Sequence, residues 1–129
     1  MFALNFYSDL YADMLRKGRK TATIRLGDKS DKYQSGQVVL ITVGRRFGPR
    51  QKLFLAIIDQ IEVKKVGELT SIEVEKENPE FRSAEDVMTL LSRIYDSVIT
   101  PMDSVTVIQF SPIWEEGKSS GAELDMWIT

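Results

Sequence analysis

Apolar and polar residues alternate along this chain in short blocks, and the period of each block predicts an element. Residues 1–7 (MFALNFY) are short, apolar and aromatic, as in a first strand. Over residues 10–17, Leu10, Tyr11, Met14 and Leu15 recur on one helical face. Ser8 or Asp9 can cap that helix, and Arg16 and Lys17 suit its negative end. Gly18 follows, a residue able to turn left-handed where a helix stops. The period then drops to two: Thr21, Thr23 and Arg25 alternate with Ala22 and Ile24, the mark of a half-buried strand. Residues 38–43 (VVLITV) read as a strand, and residues 53–63 (LFLAIIDQIEV) as a long central one. Between them, residues 44–52 (GRRFGPRQK) read as a solvent-exposed hairpin connection, because Gly and Pro exclude a regular element. Helical patterning returns over residues 69–78 and breaks at Asn78-Pro79. Ser83, with Asp86 three residues on, opens a better helix whose Val87, Leu90, Leu91, Ile94 and Tyr95 form a core stripe. Residues 104–110 (SVTVIQF) supply the last strand.

About five strands with helices inserted between them predict an α+β domain, a curled mixed sheet or small β-barrel with the helices of residues 66–95 at one side. The length of 129 residues suits one domain. Residues 113–129 are interrupted by Gly and Ser and rich in acid, which predicts a partly ordered tail with Trp114 and Trp127 as docking points.

Composition narrows the chemistry. There is no Cys and no His, which removes disulfides, thiol catalysis, imidazole ligands and Ser-His-Asp triads together. The net charge is −2, so any anionic ligand must be met by a local basic patch. Such patches exist: Arg16, Lys17, Arg19, Lys20 and Arg25 cluster, as do Arg45, Arg46, Arg50 and Lys52. The corner from Gly18 to Arg25 is therefore expected to be the most electropositive concave surface. No apolar run nears the roughly 20 residues of a membrane span, and the N-terminus carries Asn5 and Asp9 early. The expectation is a soluble, cytoplasmic protein.

The residues Gly18-Arg19-Lys20-Thr21-Ala22-Thr23-Ile24-Arg25 match the G-x-K-x-x-x-x-R signature of the ASCH domain, a β-barrel similar to the PUA domain of RNA-modifying proteins. Tyr33 with Gly36-Gln37-Val38, Glu68-Leu69-Thr70, Ile94-Tyr95 and residues 105–110 fall in the order of that family. The resemblance covers residues 1–112 and implies a PUA-like mixed β-barrel. Within the superfamily the chain looks most like small bacterial amidohydrolases that deacetylate N(4)-acetylcytidine. That likeness implies Lys20 as proton acceptor, Thr23 as nucleophile and Glu77 as proton donor. It also implies a nucleoside or RNA ligand near Gly18, Arg19, Thr21, Arg25, Tyr33 and Tyr95, with no metal and no cofactor. The chain departs from the family in a longer segment at residues 45–52 and in its C-terminal extension.

The chemistry is sound on its own terms. Without His or Cys, a hydroxyl activated by a neutral Lys is one of few routes to amide hydrolysis. A Lys in a partly desolvated cleft near other cations has its pKa lowered, and Arg19 and Arg25 are placed to supply the repulsion. In a regular strand, however, Lys20 and Thr23 point to opposite faces. The strand must start after Lys20, or bulge, and Thr21 is the rival hydroxyl. Glu73, Glu75 and Glu80 compete with Glu77 for the acid. Two other readings stand beside the hydrolase: a binding module for RNA or a nucleotide, and a metal-independent ribonuclease.

Overall fold

The computed structural model describes residues 2–45 and 47–113. Strand β1 (Ala3–Phe6) leads into helix α1 (Leu10–Arg16), then β2 (Ala22–Leu26), β3 (Val38–Val43) and β4 (Gln51–Lys65). A 3-10 turn (Val66–Glu68), α2 (Ser71–Glu77), α3 (Ala84–Tyr95) and β5 (Ser104–Pro112) complete the order. Trp114, Trp127 and the rest of the expected tail beyond Ile113 lie outside the described residues.

The five strands form one mixed sheet in the order β1-β3-β4-β5-β2. Only β1 and β3 are parallel; the other pairs are antiparallel. Strand β4 runs two residues past the expected strand at each end, because its first half pairs with β3 and its second with β5. A register shift between Ile58 and Gln60 lets it bend from one partner to the other. The sheet curls into a half-barrel, with β1 and β2 left as its two edges. Among the described residues, no strand pairing closes it.

Each face carries its own core. Leu4, Phe6, Ile41, Phe54, Ile58, Ile108 and Phe110 pack together on the concave side with Leu15 of α1. Ile24, Val105 and Val107 face the other way, against Val74 of α2 and Val87 and Leu91 of α3. The period of two in β5 sends Val107 to one core and Ile108 to the next. The α3 stripe, expected to be core, is core only in part. Val87 and Leu91 are buried, but Ile94 and Tyr95 are 41% and 39% exposed.

Edge strands expose backbone groups that need partners, and here side chains provide them. The β1 carbonyls of Phe2 and Phe6 accept from Leu40 and Gly44, so those of Ala3 and Asn5 point away from β3. Tyr33 Oη donates to Ala3 O at 3.1 Å, and Arg25 Nη2 donates to Asn5 O at 3.0 Å. Arg25, rooted in β2, thus bridges the two edges of the half-barrel.

Candidate active site

Helix α1 ends in a motif that aims Lys20. Gly18 takes φ +71°, Gly18 N–H bonds to Leu15 O at 3.2 Å and Arg19 N–H bonds to Met14 O at 2.8 Å. These paired bonds form a Schellman turn, which satisfies the helix's last carbonyls and reverses the chain. Lys20 N–H also reaches Met14 O, and the strand begins only at Ala22. The alternation that would set Lys20 and Thr23 on opposite faces therefore does not apply to Lys20.

Helix α2 delivers the partner. Thr70 and Glu73 close a capping box at its start, with Thr70 N–H donating to Glu73 Oε1 at 2.9 Å. Pro79 forces Asn78 into the extended region, φ −156°, so the helix stops with Glu77 as its last residue. Thr21 N–H donates to Lys76 O at 3.1 Å, pinning this helix end to the start of β2. Of the four acidic candidates, Glu73 is spent on Thr70 and Lys64, and Glu75 and Glu80 are exposed.

Lys20 is 1% exposed and Glu77 3%. The Lys20 ammonium donates to the Glu77 carboxylate through Oε2, to Glu77 O at 2.6 Å and to Ala22 O at 2.8 Å. All three protons are used. Glu77 Oε1 accepts from Ile24 N–H at 3.1 Å. Ala22 O and Ile24 N–H are the free-edge groups of β2, one on each side of Thr23. The Lys20–Glu77 pair sits on that edge as a neighbouring strand would, and the ammonium also caps the carbonyl end of α2. Thr23 is itself buried, and its Oγ1 accepts from Arg25 Nε at 2.8 Å.

Electrostatics follow from this burial. Loss of water pushes the Lys20 ammonium from 10.5 down to about 8; the Glu77 charge opposes the shift and the Arg25 charge adds a smaller push. Repulsion, expected from Arg19 and Arg25 together, is thus secondary, and Arg19 is exposed. The rings of Tyr11 and Phe6 lie 4.6 and 5.1 Å from Lys20 Nζ, near enough for cation–π attraction. Burial, then the Glu77 charge, raise the Tyr11 hydroxyl to about 12, against a hydrogen bond with the Asn78 side chain.

A cavity of about 40 Å³ opens beside this group, lined by Asn5, Phe6, Tyr11, Thr23, Arg25 and Glu77 and roofed by Leu90 and Leu91 of α3. Its rim residues Tyr7, Ile94 and Tyr95 also line an outer cavity of about 280 Å³ with Arg45. Thus Lys20, Thr23, Arg25, Glu77 and Tyr95 come together, with Thr21 contributing backbone contacts to α2 and β5. Tyr33 stands apart, buried in the concave core with its hydroxyl on β1. Gly18 and Arg19 stand behind the pair. Arg19 lines another groove of about 670 Å³, which shares Tyr11 and Leu90 with the inner cavity and in which Asp9, Asp13, Glu80 and Asp86 outnumber Arg19 and Arg93. The expected basic corner is therefore of mixed sign, because α1 and the α2–α3 connection bring their carboxylates to it. Residues that sequence reasoning missed are Asn5, Tyr7, Tyr11 and Arg45. The patterns mark Tyr11 as helix core and Arg45 as a solvent-exposed turn, and neither period nor charge runs show that Tyr11 lines the inner cavity and Arg45 the outer one.

No family model matches this sequence, and no curated protein does. Solved structures do. An Enterococcus faecalis protein of the family-model DUF984 superposes with a TM-score of 0.67 at 16% identity, covering 93% of this chain and 86% of its own. A hypothetical protein gives 0.64 at 19% identity, over 87% of this chain and 98% of its own. The ASCH domain from Lactobacillus crispatus gives 0.63 at 17% identity, over 88% and 79%. At such identities the likeness speaks for the fold: this chain has an ASCH-like, PUA-like α+β fold.

Proposed function

We propose that this protein is an amidohydrolase that removes the acyl group from N(4)-acetylcytidine or a related acylated nucleoside. One observation carries the reading: a buried Lys–Glu pair brackets a buried threonine at the wall of a small cavity. Such a pair has a second form with the same protons, a neutral amine beside a carboxylic acid. Burial brings that form closer in energy to the ion pair than it would be in water. In it, Lys20 is a base and Glu77 an acid, the two roles amide hydrolysis requires.

In this mechanism Thr23 Oγ1 attacks the acyl carbonyl and its proton passes to Lys20. The Arg25 guanidinium, already bonded to Oγ1, steadies the charge that develops there. Glu77 protonates the departing exocyclic nitrogen as the C–N bond breaks, leaving an acyl ester on Thr23. Water then attacks that ester and gives a proton to the Glu77 carboxylate, while the Lys20 ammonium returns its proton to Thr23 Oγ1 as the C–O bond breaks; the carboxylic acid leaves and the amine–carboxylic acid pair is restored. The inner cavity has room for about three waters, which suits a short acyl group and excludes a pyrimidine ring.

The test is incubation of the purified protein with N(4)-acetylcytidine, with released cytidine and acetate measured by chromatography. Stoichiometric release with turnover supports the reading. Intact substrate after prolonged incubation at pH 7 to 9 sinks it, and the site is then a nucleotide-binding module.

A further inference from the structure

The β3–β4 hairpin carries a charge imbalance that the hydrolase chemistry does not use. Residues 44–52 hold Arg45, Arg46, Arg50 and Lys52 and no acid. The root of the hairpin is fixed to the site. Gly44 N–H donates to Phe6 O at 2.9 Å, and Asn5 Nδ2 donates to Gly44 O at 2.9 Å. Asn5 O is also the acceptor for Arg25. A Cβ on Gly44 would clash with Pro49 O, so the two arms of the hairpin approach at a contact only glycine permits. The next residue, Arg45, is exposed, and among the described residues it makes no ion pair. It shares the outer cavity with Tyr7, Ile94 and Tyr95, three of which residues continue into the inner cavity.

We propose that the outer cavity recognises a phosphate carried on the ribose, with Arg45 as the phosphate contact and the Tyr7 and Tyr95 rings against the base. The preferred ligand is then an acylated cytidine nucleotide, and not the neutral nucleoside. Three arguments carry this. The inner cavity is too small for the base, which must lie outside it, where two tyrosines are 43% and 39% exposed. A guanidinium that pairs with no carboxylate among the described residues suits the planar, two-point recognition of phosphate oxygens. A protein of net charge −2 needs such a local cation to hold an anion at all. The acyl half of this assignment rests on the hydrolase reading; the phosphate half does not.

The experiment separates the two. Dissociation constants for cytidine and cytidine 5′-monophosphate are measured by calorimetry at low and high salt, for the parent and for Arg45→Glu. The monophosphate should bind about tenfold tighter at low salt, with the advantage shrinking as salt rises. Arg45→Glu should abolish the advantage, and Arg45→Gln should reduce it. A cytidine-centred trinucleotide tells the phosphate sources apart: tighter binding assigns an internucleotide phosphate, weaker binding a terminal one. In parallel, kcat/KM is compared for N(4)-acetylcytidine and its 5′-monophosphate. Equal affinity for nucleoside and monophosphate, or an advantage that survives Arg45→Glu, overturns the inference while leaving the hydrolase reading intact if turnover is seen. A phosphate advantage in binding with no turnover of either acetylated compound removes the hydrolase and keeps the phosphate site.

Discussion

Replacing Glu77 by leucine separates the energetics of the buried pair from its chemistry. The substitution removes the carboxylate but keeps the backbone carbonyl, so Lys20 Nζ retains Ala22 O and the residue-77 O as acceptors. The influence that holds the Lys20 pKa up is lost, while burial and Arg25 remain, so the pKa falls below about 8. At any pH above that lowered value the folded variant buries a neutral amine, whereas the unfolded chain carries the cation. That mismatch costs about 1.4 kcal/mol for each pH unit below the unfolded value of 10.5, hence about 2 kcal/mol at pH 9 and up to about 5 at pH 7. The sign is fixed by linkage: between the two pKa values the unfolded state binds more protons, so stability rises with pH. Glu77→Leu should therefore gain more than the parent, and up to about 3 kcal/mol, between pH 7 and 9. The parent stays charged at Lys20 until about pH 8, so its own gain is confined to pH 8–9 and is about 1 kcal/mol. The double variant Lys20→Met/Glu77→Leu has neither group to titrate and should show no such slope. It should also be more stable than either single variant, since breaking a buried pair is costly and removing it whole is not. Urea unfolding followed by far-UV circular dichroism at pH 7, 8 and 9 gives each number. A flat profile for Glu77→Leu, or a double variant weaker than both singles, refutes the reasoning.

Three further outcomes are expected. Lys20→Arg keeps the charge but cannot give up its proton at working pH, so it should lose acetylcytidine turnover by several powers of ten; Thr23→Val should do the same and Thr23→Ser should keep part of the rate. Parent-like rates of acetate release from both Lys20→Arg and Thr23→Val count against the mechanism. Tyr33→Phe removes a hydroxyl that serves β1 and not the cavity, so unfolding should cost about 1 kcal/mol less while kcat/KM is unchanged; a large drop in kcat/KM would return Tyr33 to the site. Gly18→Ala must place a Cβ at φ +71° in otherwise open space, costing about 1 kcal/mol in a thermal melt, and Gly18→Asn should cost less.

Much of this molecule is readable from neighbours in the chain. The strands follow from period two, and the ends of α1 and α2 follow from Gly18 and Pro79, whose constraints act within one or two residues. Because those two stops are local, the sequence alone determines that Lys20 leaves a helix end and that Glu77 closes one. It does not determine that they meet. The pairing spans 57 residues and exists because β2 is an edge strand whose free carbonyl and N–H need partners. Strand order decides that, and no local pattern encodes it. The same cause takes Tyr33 from the expected site to the opposite edge, and brings Arg45 from an apparent surface turn to the mouth of a cavity. The lowered Lys20 pKa is likewise tertiary. Its main source is the exclusion of water by packed rings and backbone, which only the folded chain assembles.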